Sequence, residues 1–378
     1  MILSFFSLVI LIYGLALLFA SKIWRKLPEI SESGENKSVS IIIPFRNEEE
    51  NLTELLKSLA LLEYPKEQLE IILVNDHSED DFNQIIQSFE SNFPYKITLL
   101  SLPDGIYGKK MAIIAGVGKS NSEIILTSDA DCTFPQNWVQ KMQAPFEINH
   151  IQLVSGNVVF KAQNFLSRIF QMEFVPLIGV GAVSIELGNP TMANGANLAF
   201  RKSTFEKLNP YANNIAIPSG DDVFLLQKIK AKHANGIFFQ KEAVVETKPP
   251  KDFASFYQQR KRWAAKWRAT SSLSETLPAL GIWSFHLLYI TAIIYSLITA
   301  EYLILLPVLL LKIISEGIFI SLILKSCHKA FNFGAFAILQ LFYSFYVLLF
   351  GLLANFGNYS WKERKYNTNE QAGNLPFR

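Results

Sequence analysis

The chain has little cysteine: two residues, Cys132 and Cys327, among 378. They stand far apart and without metal-ligand spacing, which excludes a disulfide framework and a cysteine-based zinc site. So few thiols fit a reduced, cytosol-facing protein. An excess of one charge sign is also missing. The net charge of +2 gives no general pull towards nucleic acid. Charge of either sign is scarce, at 18% of residues against 50% hydrophobic. Soluble domains carry about a quarter charged residues, so part of the apolar sequence belongs in lipid. No internal repeat or low-complexity tract is present. The length accommodates one sizeable soluble domain plus a membrane part.

What is there, first, is uncharged length. Residues 1–21 contain no charged residue and reach the roughly 20 needed to cross hydrocarbon. Lys22, Arg25 and Lys26 follow at once. Positive charge after the apolar run, where a secretory signal has it before, predicts a retained anchor. Its N-terminus would lie outside and the following chain in the cytoplasm, at the cell (inner) membrane. Residues 276–300, 302–324 and 330–361 predict about three further segments, placed within 276–357, with 358–378 a polar tail. Lys312 and Glu316 are four apart and share a helix face. They are expected to form an ion pair near one interface, both ends snorkelling. The alternative is a polar contact inside the bundle. Three full crossings would put Lys362, Arg364 and Lys365 outside, against the positive-inside tendency. A last segment that is re-entrant or lies in the interface removes that conflict.

Between the membrane parts, over residues 37–272, strand-like runs alternate with helical spacing. Strands are predicted at 39–43, 70–74, 96–100 and 123–127, and helices at 48–62, 82–93 and 111–118. Leu52, Leu55, Leu56, Leu59 and Leu62 carry the first helical stripe. This order predicts an α/β domain with a mostly parallel sheet and helices on both faces. In such sheets ligands bind outside the carboxyl ends of the strands.

The polar motifs fall at those ends. Asp129 and Asp131 are two apart after a strand, so alternation projects both carboxylates to one side. Such a pair suits a hard cation such as Mg or Mn, and it is also what a solvated turn looks like. Asp76 follows the second strand, where it could contact a base or ribose or cap the next helix. Lys109 and Lys110 open a helix, a place for a diphosphate or for an exposed basic pair. Asp221 and Asp222 precede an apolar helical run, as a general base or as caps. Gln259, Arg262 and Trp263 share one face of a basic, aromatic helix that reads as lying in the membrane interface. Residues 165–187 are a second apolar stretch, broken by Arg168, Glu173 and Glu186, and read as another interface helix.

In order, the pieces SVSIIIPFRNEEENL, VNDHSEDD, GKKMAI, SDADC, NGANLAFR, GDD and QQRKRW resemble the family 2 glycosyltransferases of the membrane-bound type. The resemblance covers about residues 39–267 and implies a GT-A (Rossmann-like) catalytic domain between N-terminal and C-terminal transmembrane helices. It implies an inverting hexosyltransferase-type enzyme that takes a sugar from a nucleotide-diphosphate sugar. The acceptor would be lipid-linked or a saccharide, and a divalent metal, Mg or Mn, the cofactor. Pro44, Arg46 and Glu48 would edge the nucleotide pocket, and Asp76 would contact base or ribose. Lys109 would lie near the donor phosphates. Asp129 would help hold nucleotide and metal, and Asp131 would ligate the metal. Asn194, Gly195 and Asn197 would line the acceptor side. Asp222 would be the general base, with Asp221 the alternative. Gln259, Arg262 and Trp263 match the QxxRW motif, which pairs with the diphosphate and borders the acceptor channel. Two positions depart from the usual pattern: Asn75 precedes Asp76 where a second aspartate is frequent, and the third motif reads Gly-Asp-Asp. Membrane lipids are an expected partner and nucleic acid is not. Competing readings are a processive polysaccharide synthase, a non-catalytic sugar-nucleotide-binding membrane subunit and a nucleotidyltransferase.

Overall fold

The computed structural model describes residues 2–30, 34–212, 214–215, 217, 220–269, 273–353, 358–361 and 364–367. For 264–269, 273–276, 353 and the last two strands it describes the backbone alone. In chain order the elements are α1 (Ile2–Arg25), β1 (Val39–Phe45), α2 (Glu49–Ala60), β2 (Leu69–Asn75), α3 (Phe82–Glu90), β3 (Lys96–Ser101), α4 (Lys109–Lys119), β4 (Ile124–Thr127), β5 (Cys132–Thr133) and α5 (Trp138–Gln143). Then come β6 (Leu153–Phe160), α6 (Phe165–Glu186), β7 (Leu198–Arg201), α7 (Lys202–Leu208), α8 (Asp221–Lys232), β8 (Ile237–Thr247), α9 (Phe253–Ala269), α10 (Leu273–Ile298), α11 (Tyr302–Ser326), α12 (Phe333–Leu353), β9 (Asn358–Trp361) and β10 (Arg364–Asn367).

Strands β1 to β8 make one sheet in the order β3-β2-β1-β4-β7-β6-β8-β5. Every residue of β1 is buried, as expected for a central strand covered on both faces. The predicted leucine stripe of α2 packs inward, with Leu52, Leu55, Leu56 and Leu59 all buried. The half built from β3, β2, β1 and β4 is parallel throughout. The other half is mixed: β7 runs antiparallel to both neighbours, β4 and β6, and β5 is antiparallel to β8. No helix separates the 189–197 loop from β7, so the chain turns straight back into the sheet and enters it from the opposite end.

Five helices are long and apolar enough to cross a membrane: α1, α6, α11, and residues 277–298 and 333–352 of α10 and α12. Helix α1 packs along α11, and Leu3, Phe6, Ile10, Phe285, Tyr289, Ala292 and Leu305 form a cluster at their far end. The stretch expected as an interface helix, α6, is 67% buried over its apolar window, against 22–33% for the other four. It touches β6 and β8 as well as α1, α11 and α12.

The Lys312–Glu316 pair departs from the snorkelling expectation. Lys312 is fully buried. Its ammonium lies 3.0 Å from Glu316 Oε2 and donates to Gln340 Oε1 at 2.9 Å. Gln340 donates to Glu316 Oε2 at 2.6 Å, and the Tyr13 hydroxyl to Glu316 Oε1 at 2.8 Å. Two buried charges are tolerated because neighbouring helices supply the partners that water would. The network ties α1, α11 and α12 together. Removing one charge leaves the other buried and unpaired, at a cost of about 3–5 kcal/mol, while replacing both is close to neutral. Lys312→Met alone is therefore expected to lower the thermal midpoint in detergent sharply, and Lys312→Met/Glu316→Met to recover most of it.

Candidate active site

Register places the site. Phe45 lies opposite Asn75, so the turns after β1 and β2 leave the sheet side by side. Arg46 clamps them: Nη1 donates to the carbonyls of Asp76 at 3.1 Å and His77 at 2.5 Å. Asn47, at φ 49°, accepts from Glu79 N at 2.9 Å, and Glu49 N donates to Asp80 Oδ2 at 2.8 Å. Pro44 sits inside β1 opposite Val74, buried. Glu48 is buried and accepts from the Asn51 amide. In this arrangement Pro44, Arg46 and Glu48 build the wall of the turn.

Asp76 is buried at the end of β2. Its Oδ2 accepts from Gly108 N at 3.0 Å, and its Oδ1 lies 3.2 Å from His77 Nδ1. Gly108 has φ +97°, a conformation that favours glycine. That bond fixes the start of α4 and with it the first residue of the helix, Lys109. The Lys109 ammonium lies 2.7 Å from Asp129 Oδ1 and 2.9 Å from Asp221 Oδ2. A Cβ added at Gly195 would come within 2.8 Å of Asp221 Oδ2 and 3.1 Å of Lys109 Nζ. Ser128 Oγ donates to Ala196 O at 2.6 Å. Four sequence motifs thus meet at one ammonium group. Burial opposes the Lys109 charge, but the Asp129 and Asp221 carboxylates outweigh it and hold the ammonium well above its usual pKa.

Asp131 is half-buried just past this group, 3.7 Å from Cys132 Sγ. Burial first, and then the charges of Asp131 and Asp129, push the Cys132 thiol well above its ordinary range. Among the described residues no group of three or more His, Cys, Asp or Glu side chains forms a metal cage. The Asp129–Asp131 pair fits a hard cation that takes its remaining ligands from phosphate oxygens and water. Asp129 is 41% exposed at its side chain, which leaves room for such a partner.

The two acids of the third motif separate. Asp221 is buried and ion-paired to Lys109, and its carbonyl accepts from the Tyr211 hydroxyl at 3.1 Å. Asp222 is half-buried, and its Oδ1 accepts from Val223 N at 2.8 Å. Lys110, expected with Lys109 either at an anion or as part of an exposed basic pair, is instead buried, with its ammonium over the Phe224 ring. It donates to the carbonyls of Asn214 at 2.6 Å and Ile217 at 2.8 Å, holding the segment before α8.

Asn197 corrects an expectation. It is fully buried, accepts from Trp138 Nε1 at 2.9 Å, and donates to the carbonyls of Asn157 at 2.9 Å and Ala243 at 2.7 Å. With its amide spent on the core it does not line an acceptor surface. Asn194 is half-buried and shapes the turn, accepting from Ala196 N at 3.0 Å. Gln259, Arg262 and Trp263 form a second group on α9. Gln259 Oε1 accepts from Arg260 Nη1 at 2.6 Å, and Trp263 lies against Phe174 of α6 with ring centroids 5.9 Å apart. Sequence reasoning missed Arg260 and Glu173. The one available signal was Arg260 itself, with aromatic residues four before and three after it on the helix.

Residues 40–209 match the family described as Glycosyl transferase family 2. A probable glycosyltransferase of Bacillus subtilis, YdaM, is 29% identical over 252 residues, 64% of this chain and 58% of that protein. A poly-beta-1,6-N-acetyl-D-glucosamine synthase of Staphylococcus epidermidis is 26% identical over 243 residues, 64% of this chain and 57% of its own. The chain thus spans under two thirds of the length of these curated relatives. Among solved structures, the mannosyltransferase PcManGT from Pyrobaculum calidifontis, described in complex with GDP-Man and Mn2+, overlays with a TM-score of 0.57 at 16% identity. That match covers 93% of this chain and 98% of the other. The fold is of the GT-A type, with candidate membrane helices before and after it in the chain.

Proposed function

We propose that this chain, which carries a family 2 glycosyltransferase domain, moves a sugar from a nucleotide-diphosphate donor to a lipid-linked or saccharide acceptor at the membrane surface. The observation that carries this reading is the convergence of Asp129, Asp221, Gly195 and Lys109 at the carboxyl ends of the strands. The reaction is one inverting displacement. Asp222 takes the proton of the acceptor hydroxyl; Asp221, whose carboxylate is already engaged by Lys109, is less suited to that role. Asp76 and the Arg46-braced turn hold the nucleoside. Asp131, with Asp129, would hold a divalent ion, which when bound neutralises charge on the diphosphate leaving group. The Mn2+ described with the mannosyltransferase supports a metal of this class. Lys109 and Arg262 add positive charge on the protein side.

Asp131→Ala is expected to weaken metal-dependent donor binding, measured by equilibrium binding of a nucleotide sugar with and without Mn2+. Unchanged binding would remove Asp131 from the metal site. The reading as a whole is tested by screening nucleotide sugars with Mg or Mn in membranes that contain the chain. Likeness to a polysaccharide synthase favours a second reading, repeated addition. Product length by mass spectrometry separates the two: one added sugar supports single transfer, a ladder supports polymerisation.

We read the catalytic domain as cytoplasmic, because it follows Lys22, Arg25 and Lys26. In this reading α1, α10 and α11 cross, and α12 begins and ends on the domain side. Its first turn meets Phe165 at the start of α6, beside the sheet. Its last turns meet Phe256 and Tyr257 at the start of α9, and β9 packs on α9 as well. Contacts at both ends with the domain support a reading in which Arg364 and Lys365 stay in the cytoplasm; Lys362 lies outside the described residues. Ser360→Cys is expected to react with an impermeant maleimide only after cells are opened. Both native cysteines are buried, and burial pushes the Cys327 thiol up to about 12, so background labelling is low. Labelling in intact cells would mean that α12 crosses.

A further inference from the structure

The geometry points to Glu173 and Arg260 as a positioning pair for the proposed diphosphate-binding helix α9, an inference that rests on the reading of Gln259, Arg262 and Trp263 given above. Arg260 lies inside the QxxRW run yet is only 4% exposed. Its Nε donates to Glu173 Oε1 at 3.0 Å, and its Nη2 pairs with Glu173 Oε2. Its remaining nitrogen, Nη1, donates to Gln259 Oε1 at 2.6 Å. The guanidinium plane sits 4.6 Å from the Phe256 ring and 4.2 Å from the Trp263 ring. Glu173 is also buried, on α6, and accepts from the Tyr346 hydroxyl of α12 at 3.0 Å. One guanidinium thus sets two of the three motif side chains, Gln259 by a hydrogen bond and Trp263 by stacking. Arg262 stands one residue before Trp263 on the same helix.

Holding α9 against α6 needs no charge. A buried ion pair is often replaced by apolar side chains of similar volume without loss of stability. An apolar pair lacks the directed bond to Gln259 and the flat cationic face for Trp263. Lysine would keep the charge and lose both the fork and the plane. The pair therefore acts on where the motif residues stand, and misplacement of about 1 Å near a reacting centre can cost roughly a hundredfold in rate.

The test compares four full-length variants in membranes: Glu173→Leu/Arg260→Met, Arg260→Lys, Arg262→Ala, and the first combined with Arg262→Ala. Rates are normalised to folded protein, and thermal midpoints are recorded in detergent. The double apolar variant is expected to melt near the wild type and to lose kcat by roughly 10- to 100-fold. Arg260→Lys is expected to fold and to lose kcat in the same direction. In the Arg262→Ala background the apolar pair is expected to have little further effect, because the group it positions is gone. Wild-type kcat in both the apolar and the lysine variant, with Arg262→Ala impaired, overturns the positioning role and leaves the motif reading standing. Effects that multiply independently with Arg262→Ala overturn it too. A wild-type rate in Arg262→Ala itself removes the motif reading, and the pair's role with it.

Discussion

Asp222→Asn is expected to leave donor binding within about twofold of the wild type and to lower transfer by roughly 10²- to 10⁴-fold, the range a positioned general base contributes. Asparagine keeps the size of the side chain and the acceptor oxygen that Val223 N uses at 2.8 Å, so α8 keeps its first turn. What it loses is the capacity to take a proton. The parallel variant, Asp221→Asn, separates the two acids. Asp221 is tied to Lys109 at 2.9 Å, so its neutralisation is expected to disturb donor affinity more than the proton-transfer step. The measurement is single-turnover transfer beside equilibrium donor binding. If Asp221→Asn lost rate alone while Asp222→Asn kept it, the roles would be exchanged.

Lys109→Met is expected to have the largest combined effect on stability and donor affinity. Its ammonium is the counter-charge to both Asp129 and Asp221. Removal leaves Asp221 buried beside a second carboxylate. Breaking a buried pair costs about 3–5 kcal/mol; the lower end applies here, because Asp129 is 41% exposed at its side chain and screened by water. The sign with pH follows from the raised pKa of Lys109. A group raised in the folded state stabilises fully below its unfolded value, about 10.4 for lysine, and loses that contribution only as pH rises through the folded value. The bridge is therefore constant from pH 6 to 9, and the stability difference between wild type and Lys109→Met should be flat across that window. A difference that shrinks from pH 6 to 8 would mean Lys109 is not held in its charged form.

Much of this was legible because it rests on local signals. The fully buried β1 appears as an apolar run interrupted by Ser40, and α2 as a leucine stripe at helical spacing. The acids and Gly108-Lys109 fall at strand ends and helix starts, where a parallel sheet presents them. What the sequence left open depends on partners distant in the chain. Nothing near Asn197 tells whether its amide faces an acceptor or the core carbonyls of Asn157 and Ala243. Of two adjacent aspartates, Asp221 is set apart by burial and by its pairing with Lys109, more than a hundred residues earlier. The antiparallel entry of β7 depends on a loop without periodicity. Lys312 reads as a snorkelling residue until Gln340 and Tyr289 are placed around it. Helix α6 reads as interfacial because Arg168, Glu173 and Glu186 interrupt it, yet Glu173 is neutralised by Arg260 on a helix that begins 80 residues later.

The most direct test is to follow a labelled nucleotide sugar in membranes containing the full chain and Mn2+, and to count the products released. The proposed activity predicts nucleoside diphosphate and transferred sugar in equal amounts, both lost in Asp222→Asn. Nucleotide sugar left intact, with pyrophosphate released when a nucleoside triphosphate and a sugar 1-phosphate are supplied instead, would indicate a nucleotidyltransferase, and tight donor binding with no release for any sugar nucleotide would indicate a non-catalytic binding subunit; either result contradicts the account.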